Sequence, residues 1–386
     1  MSSLIAQKTI YVLTGVVDDI YLATRNDSPT ACISTGKRLD LYNSIRGATN
    51  LRLILLSPPP RGQINPYGIP ETTGFFYEFP QHISRACGIK KLRFLADMLR
   101  YSSMVFKYVK SGDLIIVDNF ELYYILACWY CRLHGKKNTI ILEYEDGKHL
   151  TDKGIWKIIS ALAECLGKIL VRGTLVTSPQ LLERLNPGIP HIFVPGLIQE
   201  NLPNARQITP NQKVLFIYSG SLDYARGINL LLDYLESDHF WPNSQFHITG
   251  QGPCANRVLK VAKEHLDRVT FHGILDKKSL ANLKQSCHYG LNLQSSSDPI
   301  SNVTFPSKTF DYVNAGLGLV STRAAGVEKV FGDFPIYLNE ETVHSLSKSI
   351  QIACNDSHNL KDNLPLDFMP EKTKERFKVF FEALSG

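Results

Sequence analysis

The sequence predicts an α/β protein of two doubly wound domains, and three observations carry this: short apolar runs alternating with helix-like segments throughout, a length of 386 residues, and a proline-bearing stretch near the middle. Strand-like runs occupy residues 9–14, 51–57, 113–118, 139–144, 214–218, 245–249, 269–271, 289–293 and 317–322. Most are short, largely apolar stretches bounded by Gly, Pro or Asp, as parallel strands covered on both faces are. Helical periodicity falls between them at 92–109, 156–170, 227–235, 256–265 and 279–285. The alternation implies parallel sheets joined by helical crossovers.

A chain of this length exceeds what one hydrophobic core sustains, so two domains are expected. Residues 186–211 hold five prolines and little periodicity, which marks a linker. The division is placed at 1–200 for the first domain and 201–370 for the second, followed by a helix at 371–386. That helix presents Phe377, Phe380, Phe381 and Leu384 on one face, to be docked on its own domain or back on the first.

Hydrophobic residues make up 44% and charged residues 20%, the composition of a globular protein. No apolar run reaches membrane-spanning length and the opening residues lack signal-peptide character, so a cytoplasmic location is expected, with peripheral membrane contact open. Residues 1–198 carry 23 Lys and Arg against 16 Asp and Glu, and the remainder 19 against 20. A basic half beside a neutral one suits an anionic acceptor or membrane surface. The excess is too small, and too little interleaved with aromatics, for nucleic acid.

The eight cysteines are scattered and read as reduced core residues. Cys128 and Cys131 form a C-x-x-C inside an apolar run without a second pair or His pair, so no metal is expected.

The chemistry-bearing motifs lie in the second half. The strand at 214–218 runs into Ser219-Gly220-Ser221-Leu222-Asp223-Tyr224-Ala225-Arg226-Gly227, a turn before a helix where unpaired N–H groups and Arg226 suit a phosphate. Thr249-Gly250-Gln251-Gly252 follows a second strand and Phe271-His272-Gly273-Ile274 a third, placing small residues at the carboxyl edge of a sheet. In Asn302-Val303-Thr304-Phe305-Pro306-Ser307-Lys308-Thr309-Phe310-Asp311, a helix starting at about Pro306 would put Lys308 in its first turn and Asp311 beyond. A lysine there opposes the helix dipole unless an anion binds, and Asp311 could accept hydrogen bonds from two vicinal hydroxyls.

This series, ending in F-P-S-K-T-F-D-Y-V-N-A-G-L-G-L-V-S-T at 305–322, resembles the donor half of glycosyltransferase family 4, over about residues 214–330. The resemblance implies the GT-B fold, two Rossmann-like doubly wound domains facing a central cleft. It also implies a nucleotide-diphosphate-sugar donor, a hydroxyl acceptor and retention of anomeric configuration, with no metal and no cofactor beyond the donor. Arg226 stands where the family has a phosphate-binding lysine, and Asp311 where it has the second acid of E-x7-E, which binds the ribose. Two positions depart from the family pattern: Ser221 replaces a second phosphate-binding arginine, and Val303 replaces the first acid. Asn302 or backbone near Thr304 would then serve the sugar, and Lys308 the missing cation. Gly220, Gly250, Gly252, Gly273, Ile274, Phe305, Pro306 and Ser307 complete the donor set on this reading.

In the first half, Asn26, Asp27 and Ser28 follow the first strand and resemble the acceptor-side loop of relatives. The strand at 139–144 runs into Glu145 and Asp146, among other ionisable residues, where ligands gather in such folds. Many relatives have a histidine at about Glu145, so Glu145 and Asp146 are candidates for the reaction centre. Two other readings stay open: a sugar-nucleotide 2-epimerase of the same fold, for which these acids would move protons, and a non-catalytic nucleotide-sugar-binding partner. A dehydrogenase finds no G-x-G-x-x-G after the first strand, and no Walker or H-E-x-x-H motif occurs.

Overall fold

The structure, a computed structural model, describes residues 8–15, 35–59, 71–85, 87, 93–145, 147, 152–204, 206–209, 212–355 and 364–384. The chain divides into two compact units, Met1–Val194 with Thr373–Gly386, and Pro195–Lys372. The division falls inside the proline-bearing stretch.

The first unit runs β1 (Thr9–Leu13), α1 (Thr35–Thr49), β2 (Arg52–Ser57), β3 (Thr72–Phe76), β4 (Phe79–Ile83), α2 (Arg93–Tyr108), β5 (Leu114–Asp118), α3 (Leu122–Leu133), β6 (Thr139–Tyr144), α4 (Ile155–Leu170), β7 (Val171–Val176), α5 (Pro179–Leu182) and β8 (His191–Phe193). Its sheet has the order β3-β4-β2-β1-β5-β6-β7-β8 and is parallel except for the β3–β4 hairpin. The hairpin is absent from the sequence reading because β3 is largely exposed and lacks the continuous apolar run of a buried strand. Strand β7 escapes for the opposite reason. It follows α4 without a break residue, so one apolar run contains both.

The C-x-x-C pair lies on α3, with Cys128 and Cys131 buried; burial raises the Cys128 thiol well above its usual range and pushes Cys131 up to about 11. Both are protonated core residues at neutral pH. Among the described residues no group of three or more His, Cys, Asp or Glu could hold a metal ion.

The second unit runs β9 (Val214–Ser219), α6 (Ile228–Glu236), β10 (Ser244–Thr249), α7 (Ala255–Glu264), β11 (Val269–Phe271), α8 (Lys277–Ser286), β12 (Tyr289–Asn292), α9 (Lys308–Asn314), β13 (Gly318–Ser321), α10 (Val327–Phe331), β14 (Ile336–Tyr337) and α11 (Val343–Asn355). Its six strands are all parallel, in the order β11-β10-β9-β12-β13-β14. Order reverses beside β9, the switch point at which open α/β sheets bind ligands. Stacked rings hold the sheet centre: Phe216 lies 5.0 Å from Phe246 and 5.5 Å from Tyr289 between centroids.

The closing helix α12 (Pro370–Ala383) joins the first unit from Thr373 onward. Arg376 donates to the Phe193 carbonyl at 2.6 Å, and a Cβ on Gly173 of β7 would come within 2.7 Å of Leu384. Glycine is what lets the helix approach that strand so closely.

Candidate functional site

The carboxyl edge of the second sheet is built from glycine turns locked to one another. The Gly220 N–H donates to the Thr249 carbonyl at 3.0 Å, and the Gly250 N–H to the Gly273 carbonyl at 2.8 Å. Gly250 has φ 141°, and a Cβ there would lie 1.8 Å from the Gly220 carbonyl oxygen. No side chain fits, so the turns after β9, β10 and β11 form one rigid ledge. Gly252 closes the same ledge against Leu222, while Gly273 faces open space beside the exposed Ile274.

The turn after β9 is shaped from below by Tyr218. Its ring is fully buried, and its hydroxyl lies 2.9 Å from the Ser221 carbonyl and 3.1 Å from that of Arg226, donating to this pair. Asp223 caps the short 3-10 turn at Tyr224–Arg226 by accepting from the Arg226 N–H at 3.0 Å, and also accepts from the Ser221 hydroxyl at 2.5 Å. The Ser221 backbone N–H donates to no described residue.

Arg226 projects its guanidinium to the side-chain carbonyl of Gln294, a buried residue just beyond β12. The Gln294 amide in turn donates to the Thr304 carbonyl at 3.3 Å, while its backbone carbonyl accepts from the Thr322 hydroxyl at 2.6 Å. Arg226 is thereby tied to the loop that leads into α9.

Helix α9 begins at Lys308 with Ser307 as its cap residue, two positions later than the sequence reading placed its start, and it is only seven residues long. The Lys308 ammonium sits 4.3 Å from the centre of the Tyr218 ring, and a Cβ on Gly220 would lie 3.1 Å from it. Burial, and after it the Arg226 charge, push Lys308 down to about 7, with Asp223 and Asp311 only partly offsetting them. Among the described residues neither Arg226 nor Lys308 has an acidic side chain within ion-pair distance. Two cations thus converge on a ledge of backbone with only neutral groups bonded to them, an arrangement suited to an anion.

The other expected donor residues sort differently. Asp311 is exposed and 3.9 Å from Lys284 of α8, at the rim rather than against the ledge. Phe305 and Pro306 are buried, Phe305 packing 6.0 Å from Phe310, so they support the loop. Val303, in the place of an acid, is buried. The Asn302 side chain lies outside the described residues. Tyr218, Gln294, Asp223 and Tyr312, whose hydroxyl accepts from the Ser219 N–H at 2.9 Å, are supporting residues that sequence reasoning missed. The sequence gives Gln294 no distinct signal, since it is only the first of the polar residues 294–298 after the strand.

In the first unit, Glu145 belongs to a buried ionic cluster at the ends of β1, β5 and β6. Arg38 of α1 is pinned there: Nη1 donates to Asp118 and, at 2.7 Å, to Thr14, and Nη2 to Asp118 at 2.9 Å and to Glu145 at 3.2 Å. Burial works against the charged guanidinium, but Asp118, then Glu145 and Glu143, outweigh it and hold Arg38 well above its usual range. Asn119, at φ 55°, accepts from the Glu145 N–H at 2.8 Å. Asp146, Asn26, Asp27 and Ser28 lie outside the described residues.

No protein-family model matches the chain. It is 27% identical over 173 residues to a phosphatidylinositol N-acetylglucosaminyltransferase subunit of Homo sapiens, covering 44% of this chain and 34% of that protein. With the Arabidopsis thaliana protein of the same name the identity is 26% over 203 residues, 50% of this chain and 43% of the relative. The chain therefore spans less than half the length of these curated relatives. Among solved structures, the lipopolysaccharide outer core galactosyltransferase WaaB in its apo form superposes with TM-score 0.64 at 14% identity, over 97% of this chain and 99% of that one. HepE of Anabaena in complex with UDP and glucose gives TM-score 0.65 at 14% identity, over 98% and 100%. The fold is shared across the full length of both.

Proposed function

From a GT-B fold and a likeness to glycosyltransferase family 4, we propose that this chain transfers a sugar from a nucleotide-diphosphate sugar to an acceptor hydroxyl with retention of configuration. The observation that carries it is the convergence of the Arg226 guanidinium and the Lys308 ammonium, neither in an ion pair with an acid among the described residues, on the glycine ledge at the sheet's switch point. A pyrophosphate there would accept from the guanidinium, the ammonium and the Ser221 N–H, which stabilise the charge that grows on the leaving diphosphate. That charge stabilisation is the role a metal fills elsewhere, so the reaction is proposed to be metal-independent and without a further cofactor.

Asp311, one turn along α9, is proposed to meet the ribose hydroxyls, and the open backbone at Gly273 and Ile274 the base. The Arg38–Asp118–Glu145 cluster is proposed to orient acceptor or sugar hydroxyls through Glu145, with Asp146 and the loop holding Asn26, Asp27 and Ser28 as neighbours in sequence or role. The basic first half suits an acceptor that is anionic or lipid-linked.

The test is a thermal-shift panel of UDP-, GDP-, ADP- and dTDP-sugars followed by incubation of the stabilising donor. One donor should raise the melting temperature by mass action, and nucleotide should be released only when acceptor is added. Isomerised nucleotide sugar without acceptor would identify an epimerase instead, and stabilisation by none of the four would remove the reading.

A further inference from the structure

Helix α4 is apolar on both faces, and only one of them has a neighbour among the described residues. Its inner face buries Ala163, Gly167 and Leu170, and a Cβ on Gly167 would lie 2.4 Å from the ring of Phe120. On the outer side Ile155, Ile158, Leu162, Cys165 and Ile169 are exposed, the four aliphatic residues each by more than half. At 3.6 residues per turn these five positions fall within about 80° of one another, a continuous stripe along the helix. A water-facing helix surface normally carries polar residues, so such a stripe signals a missing partner.

The stripe does not stand alone. Trp156 at the start of α4 is half exposed and meets Phe94 of α2 edge to face, with centroids 6.3 Å apart. Beyond Phe94, α2 exposes Leu95 and Leu99, so the apolar surface crosses two helices.

Charge decides what covers it. Lys153 and Lys157 are exposed beside the stripe and have no acidic partner among the described residues. Of the nearby acids, Asp97 is buried with Arg93 at 3.3 Å, Glu164 is buried with Lys168 at 2.8 Å, and the half-buried Asp152 accepts from the Ser160 hydroxyl of α4. A second copy docking symmetrically would set this cationic rim against itself, whereas anionic lipid neutralises it. No described helix is long and apolar enough to cross a membrane, which leaves a helix lying in the interface plane.

We propose that the α2–α4 face of the first unit docks on an anionic lipid bilayer, with the α4 stripe set among the acyl chains and Lys153 and Lys157 at the headgroups. This deepens the reading of a lipid-linked acceptor by naming the surface that brings the protein to it. Vesicle binding and nucleotide binding are read separately, so one can fail while the other stands.

The test is cosedimentation of the full chain with vesicles of phosphatidylcholine alone and of phosphatidylcholine mixed with phosphatidylglycerol. The chain should bind the anionic vesicles, and more weakly as salt is raised. The double variant Ile158→Glu, Leu162→Glu should lower apparent affinity by about tenfold or more, with circular dichroism and nucleotide-sugar binding unchanged. Lys153→Glu with Lys157→Glu should weaken binding at low salt and make little difference at high salt. Three results would overturn the proposal: no binding to anionic vesicles, binding indifferent to the glutamates, or a dimer in solution that those glutamates dissociate.

Discussion

Arg226, in the short turn after β9, and Lys308, at the start of α9, are each held by an uncharged partner, the guanidinium by the Gln294 amide and the ammonium by the Tyr218 ring. The guanidinium charge helps, after burial, to push Lys308 down to about 7. A lysine poised there is charged or neutral depending on what occupies the ledge.

Donor affinity should therefore depend on pH with a definite sign. A nucleotide-sugar pyrophosphate keeps its charge through neutrality and would restore the lysine to its charged form. Below pH 7 the lysine is already protonated and affinity should be flat. Above it, binding must take up a proton, and affinity should fall by up to about tenfold per pH unit. Calorimetry at pH 8 in buffers of different ionisation enthalpy should show that uptake, and none at pH 6.

Lys308→Met should separate stability from binding. The native state depresses this lysine below its unfolded value, so its charge costs stability in full below pH 7, and the cost fades as pH rises toward 10. The methionine variant should be more stable than the parent at pH 6, by on the order of 1–3 kcal/mol, and so melt higher, while losing donor binding. Equal melting temperatures at pH 6 would contradict the buried placement.

Arg226→Ala should reduce turnover on the order of 10²-fold or more with little change in melting temperature, because the side chain contributes charge rather than packing. Gln294→Leu should have a smaller effect of the same kind by freeing the guanidinium. Steady-state kinetics with the stabilising donor would compare them, and full activity of Arg226→Ala would remove that residue from the site.

Gly227→Ala should destabilise the second unit by several kcal/mol. The glycine has φ 76°, and a Cβ would lie 1.7 Å from the Leu293 carbonyl oxygen, so the turn carrying Arg226 must move. Denaturant titration would read the loss, whereas an unchanged midpoint would show that the turn yields.

Arg38→Met should lower stability by about 3–5 kcal/mol, because it leaves Asp118 and Glu145 buried without their cation. Chemical denaturation would measure it, and an unchanged midpoint would show that the cluster does not depend on its cation.

The sequence by itself determined the repeating strand-and-helix order, the glycine turns at the second sheet's edge, and Arg226 and Lys308 as the cations beside them. These are local properties: an apolar run of strand length and a turn that demands positive φ are written in neighbouring residues. Only the tertiary structure decided that Gln294 and Tyr218 hold those cations, that Arg38 joins Asp118 and Glu145 across 80 and 107 residues, and that Asp311 stands at the rim. It also decided that one face of α4 has no neighbour among the described residues, since Ile155, Ile158 and Leu162 read as core residues in any window. Periodicity says which side chains share a face, but which face meets another element depends on segments far away in the chain.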